Sequence, residues 1–120
     1  MARGFRRLRV FLVADQLAID VYRATSSFPA SERFVLQAQV RRSALSVPSN
    51  IVEGSARRTT REYVNFLNVA NGSAAETLYL LSVARRLGWL EPTEFKRLEE
   101  QYSGLARGLQ AMMRTLEIRA

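Results

Sequence analysis

An all-α protein, an up-down-up-down antiparallel four-helix bundle, is predicted by three observations. Four long segments repeat apolar residues every three or four positions. Short connectors separate those segments, which favours neighbouring helices that run back along one another. No segment alternates apolar and polar residues between closely spaced turns, as strands do. With 120 residues, 48% of them hydrophobic, the chain suits one domain over residues 1–120 with a moderate core.

The first helix is expected from about Leu8 to Ser26, where Val10, Ala14, Leu17, Val21 and Ala24 recur at helical spacing. "SSFPASE" breaks it, and Pro29 is well placed to open the second, from about Ala30 to Arg57. The third begins at "TTRE". Thr59 followed three residues later by Glu62 has the form of a capping box, and Gly88 that of a C-terminal cap. Tyr63, Phe66, Ala70, Ser73, Thr77, Leu80 or Leu81, and Ala84 line one of its faces. The fourth opens at Pro92 and runs to about Ile118, with Phe95, Leu98, Tyr102, Leu105, Leu109, Met112 and Leu116 as a heptad seam.

The second helix carries more than a core stripe. At ~100° per residue, Leu36, Val40, Ala44, Val47, Ile51 and Gly54 fall together as the core face. Gln39, Arg42, Ser46, Asn50, Glu53 and Arg57 form an ordered polar stripe. That stripe is either a solvated face or a partly buried seam with Glu53 paired to Arg42 or Arg57. The short side chains in it favour the seam, with Arg42 turned towards it, since buried polar groups must find partners. Pro48 removes a backbone donor and is expected to kink a continuous helix. Leu45, Pro48 and Val52 form a further apolar side, and Gly104 and Gly108 lie off the fourth helix's seam. Together they are the candidate oligomer interface, because interior glycines permit close helix approach.

Composition removes several function classes. There is no cysteine, so no disulfide framework or thiolate metal site, which fits a reducing cytoplasm. There is no histidine either, which removes the commonest general base and metal ligand. No cofactor, metal site or catalytic residue is expected. Glu53, Glu62 and Glu76 could supply carboxylates, but an all-acidic metal site without histidine is a poor candidate. No apolar run approaches the ~20 residues of a membrane span. The basic start before a short apolar stretch partly has the form of a signal peptide. Asp15 ends that stretch early and no small-residue cleavage site follows, so it reads as mature protein.

The net charge of +7 lies wholly in residues 1–61, whereas residues 62–120 hold seven basic and seven acidic side chains. Of the 18 basic residues only Lys96 is lysine. Arginine suits phosphate recognition, and GC-rich codon usage would also favour it. Arg57, Arg58 and Arg61, then Arg41, Arg6, Arg7 and Arg9, are the candidate nucleic-acid ligands. Aromatic and basic residues do not interleave, so recognition through the phosphate backbone is expected rather than base stacking.

The stretch "FPASERFVLQAQVRRSALSVPSNIVEGSARRTTREYVNFLNVANGSAAE" resembles the four-helix-bundle family encoded in intervening sequences of the bacterial large-subunit rRNA gene. Phe28, Pro29, Glu32, Leu36, Gln39, Arg41, Arg42, Ser46, Pro48, Asn50, Ile51, Glu53, Gly54, Glu62, Gly72, Ser73 and Glu76 match its motif, and the resemblance covers about residues 10–90. "SARRTT" replaces a more usual glycine-containing segment, and Thr77 stands where an aliphatic residue is common. The resemblance implies a ring-like homopentamer. The same fold occurs in the accessory variability protein of diversity-generating retroelements, which binds nucleic acid and a reverse transcriptase. The expected function is therefore a non-enzymatic basic scaffold that binds nucleic acid, RNA above all, with a reverse transcriptase as a further candidate partner. The alternative is a protein-interaction module that does not touch nucleic acid.

Overall fold

A computed structural model describes residues 4–6 and 8–119. Four α-helices follow one another: α1 (Arg9–Ala24), α2 (Leu36–Ser55), α3 (Thr60–Arg86) and α4 (Pro92–Arg119), and no strand occurs among the described residues. They pack into a body of 46 × 24 × 20 Å, whose length is close to the ~42 Å of a 28-residue helix. Each helix packs on its neighbours in sequence, and α4 also packs on α1. This is helix-on-helix packing of the bundle kind.

The core is built where the apolar stripes meet. Leu17 and Val21 of α1, Val40, Val47 and Ile51 of α2, Leu67 and Leu81 of α3, and Leu98 and Leu109 of α4 are fully buried. The α4 seam drifts as it ascends. Leu98, Tyr102, Leu105 and Leu109 are buried as the heptad predicts, but the next core residue is Met113, with Met112 only partly buried.

The caps follow local chemistry. Thr59 Oγ1 accepts the Glu62 N–H at 3.1 Å and donates to the Glu62 carboxylate at 2.9 Å, which opens α3. Gly88 closes it at φ +80°, with its N–H donating to Arg85 O and the Trp89 N–H to Ala84 O. Thr25 Oγ1 donates to Val21 O and Ser26 Oγ to Arg23 O, which offers the α1 carbonyls an alternative to further helix.

The second helix starts later than its sequence pattern suggests. Ala30–Glu32 form a separate 3-10 turn, and α2 begins only at Leu36. Phe28 is buried against Trp89, ring centres 6.0 Å apart, and this anchor holds the chain close to the end of α1. A helix running straight on from Pro29 could not also lie along α1. The reversal is completed at Val35, whose φ −114° and ψ −99° are not helical, and the Glu32 carboxylate then receives the Leu36 N–H at 3.4 Å. Through Pro48, α2 is continuous.

Candidate nucleic-acid interface and its polar support

Of the six residues of the polar stripe on α2, Ser46 and Asn50 form a seam, while Gln39, Arg42 and Glu53 are exposed. Ser46 Oγ lies 2.9 Å from Ser73 Oγ of α3, and Asn50 Nδ2 donates to both Ser46 O and Ser46 Oγ. Deeper in, Thr77 Oγ1 lies 2.8 Å from both Ser43 Oγ and Ser73 O, while Ser43 donates to Val40 O. Ser43 and Thr77 are fully enclosed, yet Ser43 lies outside the predicted polar stripe and Thr77 sits on a predicted core face. Small hydroxyls at helical spacing among apolar residues were the available signal for both.

Glu53 corrects the expectation of a buried seam carboxylate. Its side chain is 53% exposed and pairs with Arg57 at 3.1 Å, one turn along the same helix. An exposed pair of this kind contributes little to stability. Arg42 makes no ion pair with Glu53. It lines an open cleft between α2 and α3 with Gln39, Ser46, Ser73 and Glu76.

Opposite the seam, Tyr102 carries a buried hydroxyl without a hydrogen-bond partner among the described residues. Tyr102 is 1% exposed and its Oη approaches Thr77 without completing a hydrogen bond. Burial, with a further contribution from the charge of Asp20, pushes its phenol above the usual tyrosine range, and Thr77 offsets part of this. Because the folded-state value is raised, the neutral phenol's contribution is fully present below the unfolded value near 10 and is lost as pH rises beyond it. Tyr102→Phe should therefore equal or exceed the parent in stability near neutral pH, by about 1 kcal/mol, since an unpaired buried hydroxyl is removed. It should also soften the alkaline fall in urea midpoint above pH ~10. A variant markedly weaker than the parent at neutral pH would show that this hydroxyl is bonded.

The candidate phosphate ligands separate into distinct environments. Arg58 and Arg61, at the junction of α2 and α3, are exposed and make no hydrogen bond or ion pair among the described residues. Arg57 beside them lies over the Phe66 ring at 4.9 Å and shares its charge with Glu53. Arg6 lies over Phe5 at 5.0 Å, Arg9 is exposed at the start of α1, and Arg7 falls outside the described residues.

Arg41 is a correction. Its Nε donates to Thr25 Oγ1 and its Nη2 to Tyr22 O, both at 2.9 Å, and its guanidinium stacks 4.6 Å from the centre of the Tyr22 ring. With Gln37 Nε2 donating to Thr25 O, it ties the beginning of α2 to the end of α1. At ~1.5 Å per residue it stands ~24 Å from Arg57 along the helix. It is structural, and it does not join the arginines of the α2–α3 junction.

The candidate oligomer residues also divide. Leu45 is 42% exposed and Val52 half-buried, so both reach the surface. Pro48 is buried inside the subunit, which removes it from that list. Gly108 faces α1: a Cβ there would stand 3.1 Å from Val10 Cγ1. Gly104 lies with it in an open cleft between α4 and α1. The close approach that Gly108 allows is thus one between helices of the same chain. Among the described residues no group of three His, Cys, Asp or Glu could hold a metal ion, and no helix is long and apolar enough to cross a membrane.

The fold and the arginine distribution define a basic, all-α protein of four packed helices. Residues 6–111 match the 23S rRNA-intervening sequence protein family, and the chain belongs to it. The fold is similar to the crystal structure of a protein of unknown function from the S23 ribosomal protein family of Bacteroides thetaiotaomicron VPI-5482. The TM-score is 0.81 at 21% identity, with 88% of this chain and 95% of that one covered. At that identity the likeness concerns the fold alone. No curated protein matches the chain.

Proposed function

We propose that the protein is a non-enzymatic, cytoplasmic scaffold that binds nucleic acid, RNA above all, through phosphate contacts, as an up-down-up-down bundle assembled into a ring-like homopentamer. The observation that carries the binding reading is the pair of exposed guanidinium groups of Arg58 and Arg61 at the α2–α3 junction, unpaired among the described residues. Arginine is always charged and its planar fork suits phosphate oxygens. Five copies of a chain with net charge +7 would build a strong positive field. Membership of a family named for an rRNA insertion supports RNA as the partner.

The direction of helix contacts supports the bundle topology. Asp20 meets Arg97 and Val10 meets Gly108, so α1 and α4 pair in opposite senses. Light scattering with titrations of RNA and duplex DNA at two salt concentrations tests assembly and binding together. An oligomer whose affinity falls steeply with salt is expected. A monomer that binds neither would sink the proposal.

A second reading, a module for a protein partner such as a reverse transcriptase, is favoured by one observation. Phe34, Val35 and Tyr79 are 85%, 61% and 62% exposed, which is high for large apolar side chains. Retention of a protein partner at high salt with no RNA bound would select it.

A further inference from the structure

We propose that the nucleic-acid surface is one whole end of the bundle, that the last two turns of α4 supply Arg114 and Arg119 to it, and that it takes the phosphate backbone of base-paired nucleic acid. The inference rests on the binding reading above.

Cross-helix contacts set which residues share a level along the 46 Å axis. Gly54 of α2 lies against Tyr63 and Phe66, so the α2–α3 junction marks one end. On the α3–α4 side, Thr77 lies by Tyr102, and the Arg85 guanidinium stands 5.4 Å from the centre of the Phe95 ring. Each step forward along α3 is thus a step back along α4, which carries Arg114 to the level of Phe66 and Arg119 to that of Arg61. The contacts Asp20–Arg97 and Val10–Gly108 set Arg9 level with Leu109, nearer the middle of the bundle than this end.

The charge is segregated by this arrangement. At the opposite end the basic residues alternate with acids: Arg97 is held by Glu94 at 2.7 Å and by Asp20 at 3.5 Å, and Glu32 and Glu91 lie near Arg33 and Lys96 in sequence. At the α2–α3 end, Arg114 and Arg119 join Arg58 and Arg61 with only Glu53, Glu62 and Glu117 against them, and Glu53 is taken up by Arg57. The neutral total of residues 62–120 conceals this, because the acids of α4 stand mainly at its start. Arg114 and Arg119 also lie beyond residue 111, where the family match ends.

The chemistry of the end selects the partner. Its aromatic rings are engaged or buried, Phe66 under Arg57 and Tyr63 only 2% exposed against Gly54. The exposed aromatics, Tyr22, Phe34 and Tyr79, lie towards the other half. Without open rings there is no platform for unstacked bases. A duplex carries one charge per ~1.7 Å of axis, so one lying across the 24 Å width presents ~14 phosphates, twice what a single strand offers.

The test is fluorescence-anisotropy titration of a 20-base-pair RNA duplex and of one of its strands, across a salt series. The parent should prefer the duplex. Arg114→Gln should reduce the log–log salt slope by about 0.9 and weaken binding about eightfold in ~0.1 M salt, the share of one phosphate contact. Its mass by light scattering should match the parent. Arg23→Gln and Lys96→Gln, at the opposite end, should leave both quantities unchanged. An unchanged slope for Arg114→Gln, equal losses at the far end, or preference for the single strand would overturn the inference. Failure of the parent to bind either probe would instead overturn the binding reading itself.

Discussion

Gly54→Ala should destabilise the protein by about 1–2 kcal/mol, although alanine is the better helix former. An added Cβ would stand 2.8 Å from Phe66 Cβ, 3.0 Å from Tyr63 Cδ1 and 3.3 Å from the Tyr63 carbonyl. Phe66 Cβ and the Tyr63 carbonyl are fixed to the α3 backbone and cannot rotate away, so α2 and α3 must separate. Overpacking of this kind costs about 1–3 kcal/mol, and the gain in helix propensity of about 0.5–1 kcal/mol offsets only part of it. Gly72 supplies the control. It is exposed within α3 with nothing within 4 Å of a built Cβ, so Gly72→Ala should stabilise by about 0.5–1 kcal/mol. Urea denaturation of the two variants should move the midpoint in opposite directions. A shift in the same direction for both would mean that helix propensity, rather than the α2–α3 approach, governs position 54.

If the proposed binding holds, Arg58→Gln with Arg61→Gln should lower nucleic-acid affinity about sixtyfold in ~0.1 M salt and reduce the salt slope by about 1.8, the share of two phosphate contacts. Both side chains are exposed and unpaired among the described residues, so removing their charge leaves no buried group stranded and folding should be unaffected. Arg41→Gln should behave in the opposite way. Its guanidinium bridges Thr25, Tyr22 O and the Tyr22 ring, so its loss should lower the melting temperature and leave the salt slope alone. Slopes read at three salt concentrations separate these outcomes. An Arg41 variant with a shallower slope would return that residue to the nucleic-acid surface.

Much of the framework is legible along the chain because it depends on neighbours one turn away. The Thr59–Glu62 cap and the left-handed Gly88 are read from residues three or four apart. The heptad of α4 holds from Leu98 through Leu109 and gives way at Met112, where Met113 is buried instead. The late start of α2 was not legible, since it is dictated by Phe28 packing on Trp89, a residue more than half the chain away. The polar stripe on α2 was visible as a stripe, but its division was not. Ser46 meets Ser73 on α3 and Asn50 bonds back to Ser46, whereas Glu53, one turn beyond Asn50, emerges past that contact into solvent.

By itself, then, the sequence determined four helices, both caps of the third, most of the core faces and an excess of arginine in the first half of the chain. Periodicity and capping act within a turn or two, and one dimension is enough to see them. Only the tertiary structure decided which charges are free. Arg41 and Arg58 are alike in sequence, each beside another arginine. One is consumed by the end of α1 and the other faces water, because occupation of a guanidinium depends on which helix end packs against it.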